Sequence, residues 1–75
     1  KMKTTKRLYR VSDGEATPTS YDDDYDPKEV VYVYTNSTKR ALTLARAYDN
    51  NKIAPDNMVY GNKTIVAICD QAMSE

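Results

Sequence analysis

The run Val30-Val31-Tyr32-Val33-Tyr34 is the densest β-branched and aromatic stretch in the chain, and it gives way at Asn36-Ser37-Thr38 to a helical repeat. A strand that leads straight into a helix needs strand neighbours for its backbone. The helix in turn needs a sheet to lie on, so the chain is predicted to be α+β. From Glu29 to Thr35 the alternation puts Val31 and Val33 on one face and Val30, Tyr32 and Tyr34 on the other. Ser37 is the expected N-cap of the helix. Within Lys39 to Asn50, residues Ala41, Leu44, Ala45 and Tyr48 fall at i, i+3, i+4 and i+7, with Leu42 at the border of the stripe. Lys39, Thr43, Arg46 and Asn50 share the opposite face. Small alanines let this helix approach the sheet closely, and Asp49-Asn50-Asn51 can end it in a left-handed turn.

Strand partners lie on both sides. Lys6 to Val11 alternates, with Arg7, Tyr9 and Val11 on one face and Leu8 and Arg10 on the other, and ends at the turn signal Ser12-Asp13-Gly14. Glu15 to Pro27 has no periodicity and reads as a long polar loop, so that residues 13–28 form a flexible acidic segment. Met58-Val59-Tyr60 and Thr64 to Cys69 flank Gly61-Asn62, a two-residue hairpin signal. Both alternate faces of Ile65 to Cys69 are apolar, which suits a central strand. The tail 71–75 is expected to fray. The predicted architecture is a single domain over 1–75 with the order β-β-α-β-β: four short, mostly antiparallel strands and one helix packed on one face.

Such a domain has little to bury. Leu, Ile and Val together number 12 in 75 residues, with no Phe and no Trp, while Tyr supplies 7. At this size only about 60% of the unfolded chain's surface is buried on folding. One helix covers one sheet face, so the other is expected to present Tyr32 and Tyr34 to a docking partner or a second copy.

The missing residue types exclude much chemistry. Without His there is no Ser-His-Asp triad, imidazole base or His-ligated zinc, and Cys69 alone makes neither an intramolecular disulfide nor a multi-cysteine metal site. Cys69 reads as a small buried hydrophobe, since no His or adjacent cation activates it. The only glycines, Gly14 and Gly61, cannot build a phosphate-cradling loop. Asp22, Asp24 and Asp26 have the 1, 3, 5 spacing of a calcium loop, but Pro27 stands where that loop needs Gly and Val33 where it needs Glu. The sequons Asn36-Ser37-Thr38 and Asn62-Lys63-Thr64 read as a helix cap and a hairpin turn. No enzyme, metal or cofactor is expected. No apolar run approaches the roughly 18 residues of a spanning helix, and Lys1 to Arg10 has no signal-peptide apolar core, so a cytoplasmic protein with no membrane partner is expected.

The formal net charge of +0 conceals two poles. Residues 1–12 carry Lys1, Lys3, Lys6, Arg7 and Arg10; residues 13–29 carry seven acids against Lys28. One functional reading uses the acids: Asp13, Glu15, Asp22, Asp23, Asp24 and Asp26, spaced along the loop and interleaved with Tyr21 and Tyr25, would lie against a basic channel on a larger host protein as a phosphate row would. The alternative is nucleic-acid binding through Lys6, Arg7, Tyr9 and Arg10 on the first strand with Lys39, Arg40 and Arg46 on the helix. An acidic loop directly after the basic head makes this second reading the weaker.

The small size, the Tyr-rich β-β-α-β-β layout, the helix entry Asn36-Ser37-Thr38-Lys39-Arg40-Ala41-Leu42 and the Asp-rich loop together resemble small phage-encoded accessory proteins, including anti-CRISPR proteins. That resemblance is one of style across the chain, without a signature motif. It implies a stoichiometric inhibitor, acting in the host cell, that occupies a nucleic-acid or partner surface on a host factor and that has homodimerisation as a second way to cover an open sheet face.

Overall fold

The computed structural model describes residues 5–20, 23–26, 28 and 30–70. Five strands and one helix follow the order β1 (Arg7–Ser12), β2 (Glu15–Pro18), β3 (Val31–Thr35), α1 (Thr38–Asp49), β4 (Asp56–Tyr60) and β5 (Lys63–Cys69). They form one sheet in the order β2-β1-β3-β5-β4, antiparallel except for β3 and β5. The α+β class holds, with five strands in place of four. The extra strand is β2, which occupies part of the segment expected to be loop. Its four residues carry no pattern of their own; Asp13 and Gly14 take φ of 54° and 78°, the twist of a type I′ turn, and fold Glu15–Pro18 back along β1.

Elsewhere the elements match the expected ones to within a few residues at their ends. Ser37 caps α1 by accepting a hydrogen bond from the Arg40 N–H at 3.1 Å, and Asn51 leaves the helix at φ 62°. Gly61 takes φ 69° at the first position of the β4–β5 turn, where a two-residue II′ hairpin places its glycine. β5 is interior in the sheet order, as its two apolar faces require.

The core lies on both sides of the sheet. On the helix side Tyr9, Val33, Ala41, Ala45 and Ile68 are buried together, with Val11, Ala16, Val31, Leu44 and Ile53 packed around them. Val33 and Ile68 are register partners in the parallel pair, and burying each of these side chains stabilises the fold by about 1.5–3 kcal/mol. The helix packs over β1, β2, β3 and β5 and makes no contact with β4.

The opposite face is closed too, which corrects the expectation of an open tyrosine surface. Leu8, Tyr32, Ile65 and Ala67 are buried there, and Tyr25, Val30, Tyr34, Met58 and Tyr60 pack on them. Tyr32 is 3% exposed. The cover is the acidic segment itself, which contributes Tyr25 to this cluster. A chain short of aliphatic residues thus builds its second core layer from tyrosine, whose ring is apolar and whose hydroxyl still needs a partner.

Candidate functional site

The acidic segment is fastened as a strap by tyrosine hydroxyls. Tyr25 stacks obliquely on Tyr32, with ring centroids 4.6 Å apart. Its hydroxyl donates to the Val66 carbonyl at 2.5 Å and accepts from the Val66 N–H at 2.7 Å. The parallel ladder explains why that backbone is available: β3 and β5 are paired at Val33↔Ile68 and Tyr34↔Cys69, and at Val66 the Tyr25 hydroxyl supplies the partner that a strand would. The Tyr32 hydroxyl accepts from the Asp26 N–H at 3.0 Å and donates to the Asp24 carbonyl at 3.4 Å. At the start of the strap the Tyr60 hydroxyl donates to the Thr19 carbonyl.

With the tyrosines turned inward, the carboxylates face out. Asp23, Asp24 and Asp26 are exposed. One oxygen of Asp23 accepts from the Ser20 N–H at 2.9 Å and one of Asp26 from the Lys28 N–H at 3.3 Å, local turns that fix the direction of each side chain. Arg10 borders the same cleft as Asp23 and Asp24, together with Thr17, Pro18 and Thr19, yet among the described residues the single salt bridge is Arg40–Asp70. Tyr21 and Asp22, also expected in this site, lie outside the described residues. Tyr25 is there as an anchor, and Tyr32 is buried beneath it rather than offered to a partner. Tyr34 is half-buried opposite Leu8. Among the described residues no three His, Cys, Asp or Glu converge as metal ligands.

The alternative basic set is dispersed. Tyr9 is buried in the helix-side core and cannot stack on a base. Lys6 donates through Nζ to the Asp70 carbonyl at 3.0 Å. Arg40 is bound to the Asp70 carboxylate through Nε at 3.1 Å and Nη2 at 3.3 Å. Of the exposed remainder, Arg7 opens β1 opposite Thr35 and Arg10 stands on the strap side of β1, whereas Lys39 and Arg46 lie on the outer face of α1, across the sheet.

One polar centre escaped the sequence reading. Asp70, just past β5, is fully buried; its carboxylate accepts from Thr35 Oγ1 at 2.5 Å as well as from Arg40, and its N–H donates to the Tyr34 carbonyl at 3.1 Å. These bonds join the carboxyl ends of β3 and β5 to the first turns of α1. A cleft of about 320 Å³ beside them is lined by Leu44, Ile53, Ala54 and Cys69 among others. Clefts at the carboxyl ends of parallel strands commonly hold ligands, but here Arg40 and Asp70 satisfy each other. Burial, with the charge of Asp56 second, pushes the Cys69 thiol above its ordinary pKa, while Lys6 pulls it the other way; the sulfur is protonated at neutral pH and a poor nucleophile. A lone Asp after an apolar strand gives no sign in sequence that it is buried.

No protein family, curated protein or solved structure matches the chain.

Proposed function

We propose that the protein is a non-enzymatic binding module that presents its acidic strap to a basic, nucleic-acid-handling surface on a larger protein, and so acts as a stoichiometric inhibitor of that factor. The observation that supports this reading is the division of labour within the strap. Tyr25 and the buried Tyr32 hold it to the sheet, Asp23, Asp24 and Asp26 are left exposed, and the carboxylates of Asp23 and Asp26 are oriented by local hydrogen bonds. A row of carboxylates held in place loses less conformational freedom on binding than a floppy loop does, and carboxylates meeting Arg and Lys give fast, salt-sensitive association. The anti-CRISPR-like style of the chain agrees with that mode of action. The protein's part is occupancy, without bond-making chemistry.

Competition tests it. A nucleic-acid-binding factor captured on the immobilised protein from host lysate at low salt is expected to be released by duplex DNA. The variant Asp23→Asn/Asp24→Asn/Asp26→Asn is expected to capture it about tenfold more weakly and with a flatter salt dependence. Capture that survives the triple substitution unchanged sinks the acidic-strap reading, and a gel shift of DNA or RNA by the protein alone at low salt would replace it with direct nucleic-acid binding.

A further inference from the structure

The two edges of the sheet differ. β2 is four residues long, ends on Pro18 and is packed against by the helix; short length, proline and a covering element are ways in which an edge is kept from pairing. β4, Asp56–Tyr60, has no proline and no lysine, and the helix does not reach it. Which of its main-chain groups face outward follows from its neighbour. Val66 directs both its N–H and its carbonyl to Tyr25, on the side of β5 away from β4, so Asn57↔Val66 is a non-hydrogen-bonded pair of the antiparallel ladder. By alternation Val59↔Thr64 is another. The N–H and carbonyl groups of Asn57 and Val59 therefore point out from the sheet, and the Asn57 N–H is met by its own neighbour, Asp56 Oδ1, at 2.8 Å.

We propose that this edge pairs antiparallel with β4 of a second copy of the chain about a two-fold axis at Met58. That register sets Asn57 opposite the partner's Val59 and Val59 opposite the partner's Asn57, so each Val59 N–H meets the partner's Asn57 carbonyl, and each Asn57 N–H meets the partner's Val59 carbonyl on exchanging it for Asp56 Oδ1. Other two-fold registers fit worse. Centring on Asn57 brings the partner's Pro55, which has no N–H, opposite Val59, and centring on Val59 draws the Gly61 turn into the ladder. The side chains agree with the Met58 axis. On the helix side Val59, 70% exposed, lies diagonally across the junction from the partner's Val59 and diagonally from Val66, 45% exposed, in its own copy, with Asn57 beside each. On the strap side Met58 faces the partner's Met58, and Asp56, the only charge in β4, faces the partner's Tyr60 beside the partner's Lys63. No like charges meet, and a formal net charge of +0 sets up no overall repulsion between copies. The pairing uses none of the strap carboxylates, so it stands or falls apart from the proposed inhibition.

The test is solution mass against concentration. A five-residue strand pair is a small interface, and the dimer is expected to form in the micromolar range or above, with mass rising from 8.5 kDa toward twice that value and amide exchange at Val59 slowing as it does. Val59→Lys, which sets two cations beside the axis, is expected to weaken association at least about tenfold. Val59→Pro removes an outward N–H that makes no bond within the monomer and is expected to do the same; if circular dichroism shows that it does not fold, Val59→Lys decides. Lys39→Glu on the outer face of α1 should leave the dimer intact. A mass of one chain at every concentration up to about 1 mM, or dimers unaffected by Val59→Lys, would overturn the proposal.

Discussion

Breaking the Arg40–Asp70 pair from its two ends should have unequal effects, and the inequality follows from where each charge sits. The Asp70 side chain is fully buried, whereas that of Arg40 is 34% exposed. Arg40→Met removes two donors, Nε at 3.1 Å and Nη2 at 3.3 Å, and leaves a carboxylate in the interior without its guanidinium, though still bonded to the Thr35 hydroxyl. Losing one partner of a buried pair costs about 3–5 kcal/mol, and the partial exposure of Arg40 places this case near 3. Asp70→Asn removes the buried charge while keeping an oxygen for Thr35, and Arg40 can turn into water, so its cost is that of weakened hydrogen bonds, about 1–2 kcal/mol. A chain of this length is stable by about 4–11 kcal/mol in all, so the first substitution is serious and the second tolerable. At about 4–8 °C of Tm per kcal/mol for a domain of this size, thermal denaturation followed by circular dichroism should place Arg40→Met more than about 10 °C below the parent, and Asp70→Asn between the two. The double variant Arg40→Met/Asp70→Asn should recover most of the loss, since neither charge is then buried alone. If Asp70→Asn is the more damaging single change, or if the two losses simply add, the pair is not acting as described.

Other consequences follow from single groups. Tyr25→Phe keeps the ring on Tyr32 but removes the hydroxyl that serves both main-chain groups of Val66; a loss of about 1–2 kcal/mol and faster amide exchange at Val66 are expected, and an unchanged exchange rate would deny the strap its anchor. Ala41 is fully buried where the helix meets the sheet, so Ala41→Leu should overpack the contact and destabilise by about 1–3 kcal/mol in urea denaturation, whereas a stabilised variant would mean that space remains there. The raised Cys69 pKa is expected to make alkylation by iodoacetamide at neutral pH slower than that of free cysteine. Because the folded state holds that proton more tightly, this group's contribution to stability is present below the ordinary thiol value of 9.0 and is lost as pH rises through the raised one; alkylation as fast as free cysteine's would contradict the burial.

Local patterning alone determined the pieces that carry their own periodicity or turn chemistry. Val31–Thr35 alternates, Ser37 offers an oxygen one residue before α1, Gly61-Asn62 separates two apolar runs, and the small residues of α1 fall on one stripe. Each of these signals is complete within about a dozen residues, so no distant contact is needed to read it. The acid-rich character of 13–28 and the division of the β1 and β3 side chains between two faces belong to the same class. What tertiary structure decided was every feature whose cause is far away in the chain. β2 is a strand because β1 offers it an edge, not because Glu15–Pro18 resembles one. Tyr32 is buried rather than presented because Tyr25, seven residues earlier, and the β5 backbone, more than thirty residues later, close over it. Asp70 differs from an exposed carboxylate through partners such as Thr35 and Arg40, which β3 and α1 bring to it. The two charge poles illustrate both halves. Their existence is a matter of residue order, but whether they are separate surfaces depended on the fold, and the strap lays Asp23 and Asp24 around the same cleft as Arg10.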